Sequence, residues 1–145
     1  MQQQSTQGEV EKRYRILLII WAAILLKVGI LAVVSHFAKP DALAEDGESH
    51  TVLLMVLLLL GISSIVMSFI VKNMILARAA NRRRLDSVQV AYVVAFALCE
   101  TAALFGVVGL FATGESFSYI MFVVGAVGLM LHLPRRDHLL AAAYK

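Results

Sequence analysis

Two charged residues stand where charge is costly. Lys27 lies in the middle of the apolar run 16–37, and Glu100 in the middle of the apolar run 88–112. A charge at the centre of a membrane-spanning helix costs about 2.5–3.5 kcal/mol on insertion scales, so such a residue normally faces protein or water and has a partner. Lysine and glutamate are complementary, and their depths agree. Lys27 lies 11 residues beyond Ile16 and Glu100 lies 12 beyond Val88, which at 1.5 Å per residue puts both about 17 Å along their runs. The pattern predicts a buried Lys27–Glu100 ion pair, formed within one chain or between neighbouring chains, that fixes helix register. The alternatives are a Lys27 that snorkels to an interface and a Glu100 whose neutral carboxyl bonds a nearby backbone or hydroxyl group. No Ser/His/Asp or Cys/His arrangement is evident, so enzymatic activity is not expected.

The elements that must hold these residues follow from composition. The chain has 145 residues, of which 60% are hydrophobic and 16% charged, against about 25% charged in a typical soluble domain. Four runs are long enough, or nearly so, to cross a bilayer as helices: 16–37, 52–76, 88–112 and 117–133. The first is too long for the apolar region of a signal peptide, and no small-x-small cleavage site follows it. The expected fold is an all-α integral membrane protein, an up-down bundle of four transmembrane helices. Residues 1–15 form an N-terminal lead, disordered over 1–8, and 134–145 form a C-terminal tail. The lone Cys99 excludes an internal disulfide.

All but Lys27 and Lys39 of the 13 Lys and Arg residues fall before span 1, between spans 2 and 3, or after span 4. The opposite loops carry Asp41, Glu45, Asp46, Glu48 and Glu115. By the positive-inside rule both termini are cytoplasmic, as in a multi-pass protein of a bacterial inner membrane. Lys72 and Arg78 count here as part of the inner loop. Arg82, Arg83, Arg84, Arg135 and Arg136 are expected to contact anionic lipid head groups, each worth about 1 kcal/mol. This accounts for the net charge of +3 without a nucleic-acid partner.

Span 3 carries small residues at Ala91, Ala95, Cys99, Ala102, Gly106 and Gly109, with Thr113 continuing the line. Steps of three and four place them on one stripe, centred about 140° from Glu100. Gly61 with Ser64 and Ser68 on span 2, and Gly125 with Gly128 on span 4, are shorter counterparts. Such stripes let helices approach closely, which drives association in lipid. Packing within the chain is the first expectation for them, a seam between chains the second. Ser63, Ser64 and Ser68 are expected to bond back to their own helix.

The run Ala95-Phe-Ala-Leu-Cys-Glu100-Thr-Ala-Ala-Leu-Phe-Gly106 resembles the second helix of the subunit c proteolipids of rotary ATPases. Residues 77–82 are similar to the polar loop of that hairpin. The resemblance covers about 30 residues and implies that Glu100 is a proton- or sodium-binding carboxylate, with Gly106 as a packing glycine.

The remaining polar residues have plainer roles. His36 and His50 bracket the acidic outer loop, but their spacing matches no metal motif, and neither metal nor cofactor is expected. Tyr14, Trp21 and Tyr119 are read as interfacial anchors, His132 and His138 as interfacial, and Cys99 as packing. Together these features predict a structural or accessory subunit that assembles through its small-residue faces. Its partners would be the bilayer and either its own copies or a larger membrane complex. The alternative is a proton- or ion-coupled component in which Glu100 carries the ion.

Overall fold

The computed structural model of the chain describes residues 2–38, 47–82 and 84–144. Among these residues every regular element is helical: α1 (Gln2–Phe37), α2 (Gly47–Arg82), α3 (Leu85–Thr113), α4 (Tyr119–Leu131) and α5 (Arg136–Tyr144). A single 3-10 turn, Ser116–Ser118, precedes α4. The lead expected to be disordered is helical from Gln2. A long helix extends at little cost once nucleated, and Glu9–Arg13 and Glu11–Arg15 pairs at i, i+4 support this turn. Likewise α2 runs past the expected end of span 2 to Arg82, so Lys72 and Arg78, both counted with the inner loop, lie within the helix.

Three helices are long and apolar enough to cross a membrane: Gln7–Phe37, His50–Arg82 and Leu85–Thr113. The fourth expected span is the short one. The 13 residues of α4 reach about 20 Å, against about 30 Å of hydrocarbon. With its preceding turn it qualifies only in company with α5, which it meets at a bend of 44°. Pro134 lies at that bend; it has no N–H to donate and disfavours helical geometry at Leu133. The count is therefore three spans, or four if the bent pair is one.

Helix α3 is the centre, with 44% of its apolar window buried against 11% for α1. It pairs antiparallel with α4. On their flanks α1 and α2 each touch α3, α4 and α5, and make no comparable contact with each other. The small stripe makes this closeness possible. Ala91, Ala95, Cys99, Ala102, Gly106, Gly109 and Thr113 are all buried. A methyl group at Gly61 would meet Ala102, one at Gly106 would meet Phe122, and one at Gly109 would meet Leu54. At Gly125 it would stand 3.1 Å from the Ala103 nitrogen and the Cys99 oxygen, and at Gly128 it would press on the Cys99 sulfur. These faces are spent inside the chain.

The α3–α4 connection depends on one glycine. Gly114 ends α3 in the left-handed region (φ 67) and donates its N–H to the Leu110 carbonyl. Thr113 Oγ1 accepts the Glu115 N–H at 3.1 Å. An L-residue pays about 1–2 kcal/mol for this geometry. Gly114→Ala is therefore expected to lower the melting temperature of the detergent-purified protein, and Gly114→Asn to lower it less. Equal melting of all three would show that the turn does not govern the hairpin.

Helix α1 buries a narrow seam. Val10, Leu17, Val28 and Ser35 are buried, while Tyr14, Trp21, Ile24 and Leu31 are partly buried against the core. Their spacing alternates four and three, the pattern of a coiled-coil contact. Within the apolar run of α1 the side chains off this seam are largely apolar and many are exposed, including Ile19, Leu26 and Val33, as suits a helix whose other sides face lipid.

Candidate functional site

The α1–α3 seam brings the two misplaced charges together. Lys27 Nζ donates to Glu100 Oε1 within the same chain. Near the start of the same seam, Arg13 Nη1 pairs with Asp86 and also donates to Gln89 Oε1 at 2.9 Å. Both ion pairs join residues 73 apart in sequence, so α1 and α3 run parallel in constant register across about four turns. The pair is not symmetrically buried as expected. The Glu100 side chain is 16% exposed, but the Lys27 side chain is 61% exposed. Lys27 flanks the seam, between Ile24 and Val28, and its ammonium reaches the better covered Glu100 carboxylate.

Other polar contacts hold α1 in place. Trp21, expected at an interface, donates Nε1–H to the Leu129 carbonyl at 2.8 Å and ties α1 to α4. His36 Nδ1 lies 3.2 Å from the Tyr119 hydroxyl at the other end of the same pair. Arg136, expected to contact lipid, pairs with Glu11 at 2.6 Å and lies over the Tyr14 ring. Arg82, Arg84 and Arg135 are exposed. Arg83, Lys39, Asp41, Glu45 and Asp46 lie outside the described residues, as does the side chain of Glu48.

A second cluster, on the far side of α3 from Glu100, was not legible as a site. His132 is fully buried, not interfacial. Its Nδ1 is 2.8 Å from the Gly128 carbonyl; a carbonyl only accepts, so Nδ1 carries the proton and Nε2 is the acceptor. Nε2 faces Ser68 Oγ at 3.1 Å, and it competes for the single Ser68 proton with the Ile65 carbonyl, 2.6 Å from the same oxygen. Cys99 Sγ is 3.6 Å from Ser68 Oγ and 4.0 Å from His132 Nδ1. These three side chains share one site but lack a catalytic order. No carboxylate backs the imidazole, and all three residues are closed off from outside. Their geometry pins α2, α3 and α4 together.

Toward the basic end of the bundle the same seam continues to Lys72. This residue is only 7% exposed, with its ammonium 5.3 Å from the Phe69 ring centre and 5.6 Å from that of Tyr92. Tyr92 OH is 2.6 Å from His138 Nδ1 on α5 and accepts the Arg135 backbone N–H at 3.1 Å. Lys72 was missed because it precedes a run of arginines that topology explains. The signal available was its spacing, seven residues after Ile65 and four after Ser68 on the buried face of α2. Among the described residues no group of three or more His, Cys, Asp or Glu side chains is placed to hold a metal ion.

The fold and these sites define a class only: an all-helical chain whose three to four long apolar helices are compatible with a multi-pass membrane protein. No family model, characterised protein or solved structure matches it.

Proposed function

We propose that the protein is a structural or accessory component of a membrane assembly, with its basic ends on the cytoplasmic side. In this reading it docks a neighbouring transmembrane helix over Lys27. The observation that supports this is the exposed half of the ion pair. An ammonium has three donors, Glu100 takes one, and the side chain projects 61% exposed from the helix with the least burial. Lipid tails offer no acceptor, so an uncovered Lys27 would bear much of the cost of a mid-bilayer charge. Around it, Ala23 and Ala97 are exposed one turn before Lys27 and Glu100 and leave room for close approach. Assembly would thus use the α1–α3 edge, since the small-residue faces first expected to serve are occupied within the chain.

Cysteines at Ala23 and Ala97 are expected to cross-link oxidatively to a neighbour in native membranes, while one at the remote, exposed Phe111 does not. Lys27→Met is expected to shift the detergent-extracted species to a smaller size. A lone monomer without cross-links would sink the proposal. The ion-coupled alternative has the proteolipid resemblance in its favour, but the Glu100 carboxylate is engaged by Lys27. Carbodiimide labelling of Glu100 that sodium blocks would reverse this preference.

A further inference from the structure

Lys72 is a cation over nine-tenths buried, and it makes no ion pair or hydrogen bond with the described residues. Burying a charge is tolerated when it is paired, and two aromatic faces repay only part of the cost. Its surroundings add positive charge. That charge is the Arg135 guanidinium, near enough to act on Lys72, Tyr92 and His138, while the His138 imidazole lies with Lys72 against the Tyr92 ring. Among the described residues Asp137 is the one carboxylate whose charge reaches Tyr92 and His138. Ser118 Oγ is the one wholly enclosed side-chain polar atom without a hydrogen bond among the described residues. Lys72 keeps the remaining 7% of its surface open.

An apolar groove lies further along the same face of α2. It measures about 280 Å³ between α2 and α4 and is lined by Ile62, Ile65, Val66, Val124, Val127 and Leu131. Toward the basic end it gives way to the Phe69 and His132 rings, 4.2 Å apart. Lys72 follows Ile65 on the same face of α2, two turns or about 10 Å further. A hydrocarbon slot about two helical turns from a buried ammonium and an arginine has the spacing and polarity of one ligand class.

We propose that this is a binding site for a single anionic phospholipid, with its phosphate on Lys72 and Arg135 and an acyl chain in the α2–α4 groove. The site rests on the membrane reading above but not on the partner at Lys27. An anionic head group supplies the counter-charge that the chain lacks, and a zwitterionic one brings a further cation into a site already positive. His138, through its Tyr92 bond, holds α5 and Arg135 over the phosphate.

The test uses the full-length protein purified in neutral detergent. Its failure to need detergent would overturn the membrane reading itself, and this is known before any lipid is added. Wild type is expected to retain one phosphatidylglycerol by native mass spectrometry. Its melting temperature is expected to rise by about 5 °C in phosphatidylglycerol-containing nanodiscs relative to phosphatidylcholine alone. Lys72→Met is expected to lose both effects and to melt no lower than wild type in phosphatidylcholine. Arg135→Gln, at an exposed position, is expected to bind the lipid about tenfold more weakly, and Arg78→Gln to bind it as wild type does. Full retention and full shift in Lys72→Met and Arg135→Gln would overturn the site. A shift reproduced in full by inorganic phosphate would overturn the lipid assignment.

Discussion

Lys27→Met alone is expected to destabilise the folded protein by about 2–3 kcal/mol, while the double variant Lys27→Met, Glu100→Gln is expected to be more stable than the single one. The single change leaves a carboxylate that is 16% exposed at mid-depth with no cation. The double change leaves two neutral side chains of similar size. Removing one partner of a covered pair exposes the full desolvation cost of the other, whereas neutral isosteres of both avoid it. The two single changes should differ. Glu100→Gln leaves Lys27 on a long stem that is 61% exposed and free to swing toward an interface, so it should cost less than Lys27→Met. Melting temperatures of the four proteins in one detergent close the cycle. Losses that simply add would mean that the two groups meet without depending on each other.

The proximity of Lys27 and Glu100 was legible because hydrophobic surroundings make a charge conspicuous, and because two helices entering from the same side can be compared by counting residues. The exposure of Lys27 was not legible. It depends on which side of α1 meets α3, and α1 is apolar all round, so no polar face marks the inside. In water, the buried seam Val10, Leu17, Val28, Ser35 would stand out against a polar exterior. In lipid the exterior is as apolar as the seam, and the three-four spacing hides among equivalent residues. The stripe on α3 could be read because smallness, unlike apolarity, is rare enough to trace. Its partners could not be assigned, since small residues show that something comes close without saying what. Lys72 and Ser68 come from α2, Cys99 from α3 and His132 from the end of α4, and only the fold shows that they converge. The length of α4 was overestimated because the apolar run 117–133 includes a 3-10 turn at one end and the pre-proline residue at the other. Neither continues the helix.

Gly125 and Gly29 should respond in opposite directions to the same added methyl group. Alanine has the higher helix propensity, by about 1 kcal/mol in an exposed helix interior. At Gly29 a methyl would meet nothing within 4 Å, so Gly29→Ala is expected to leave the melting temperature of the monomeric protein unchanged or slightly raised. At Gly125 it would stand 3.1 Å from both the Ala103 nitrogen and the Cys99 oxygen, and 3.2 Å from the Ala103 side chain. The first two are backbone atoms of the central helix and can yield only if α4 moves as a body. Overpacking of this kind costs about 1–3 kcal/mol, so the net loss for Gly125→Ala should outweigh the propensity gain. Gly125→Leu should prevent α4 from seating against α3 and reduce the yield of folded protein. The Gly29 variant also bears on assembly. If a neighbouring helix packs on α1 at this position, Gly29→Ala will shrink the native complex while sparing the monomer. If only lipid lies there, both species will remain as in wild type, and the neighbour must be confined to the edge marked by Lys27.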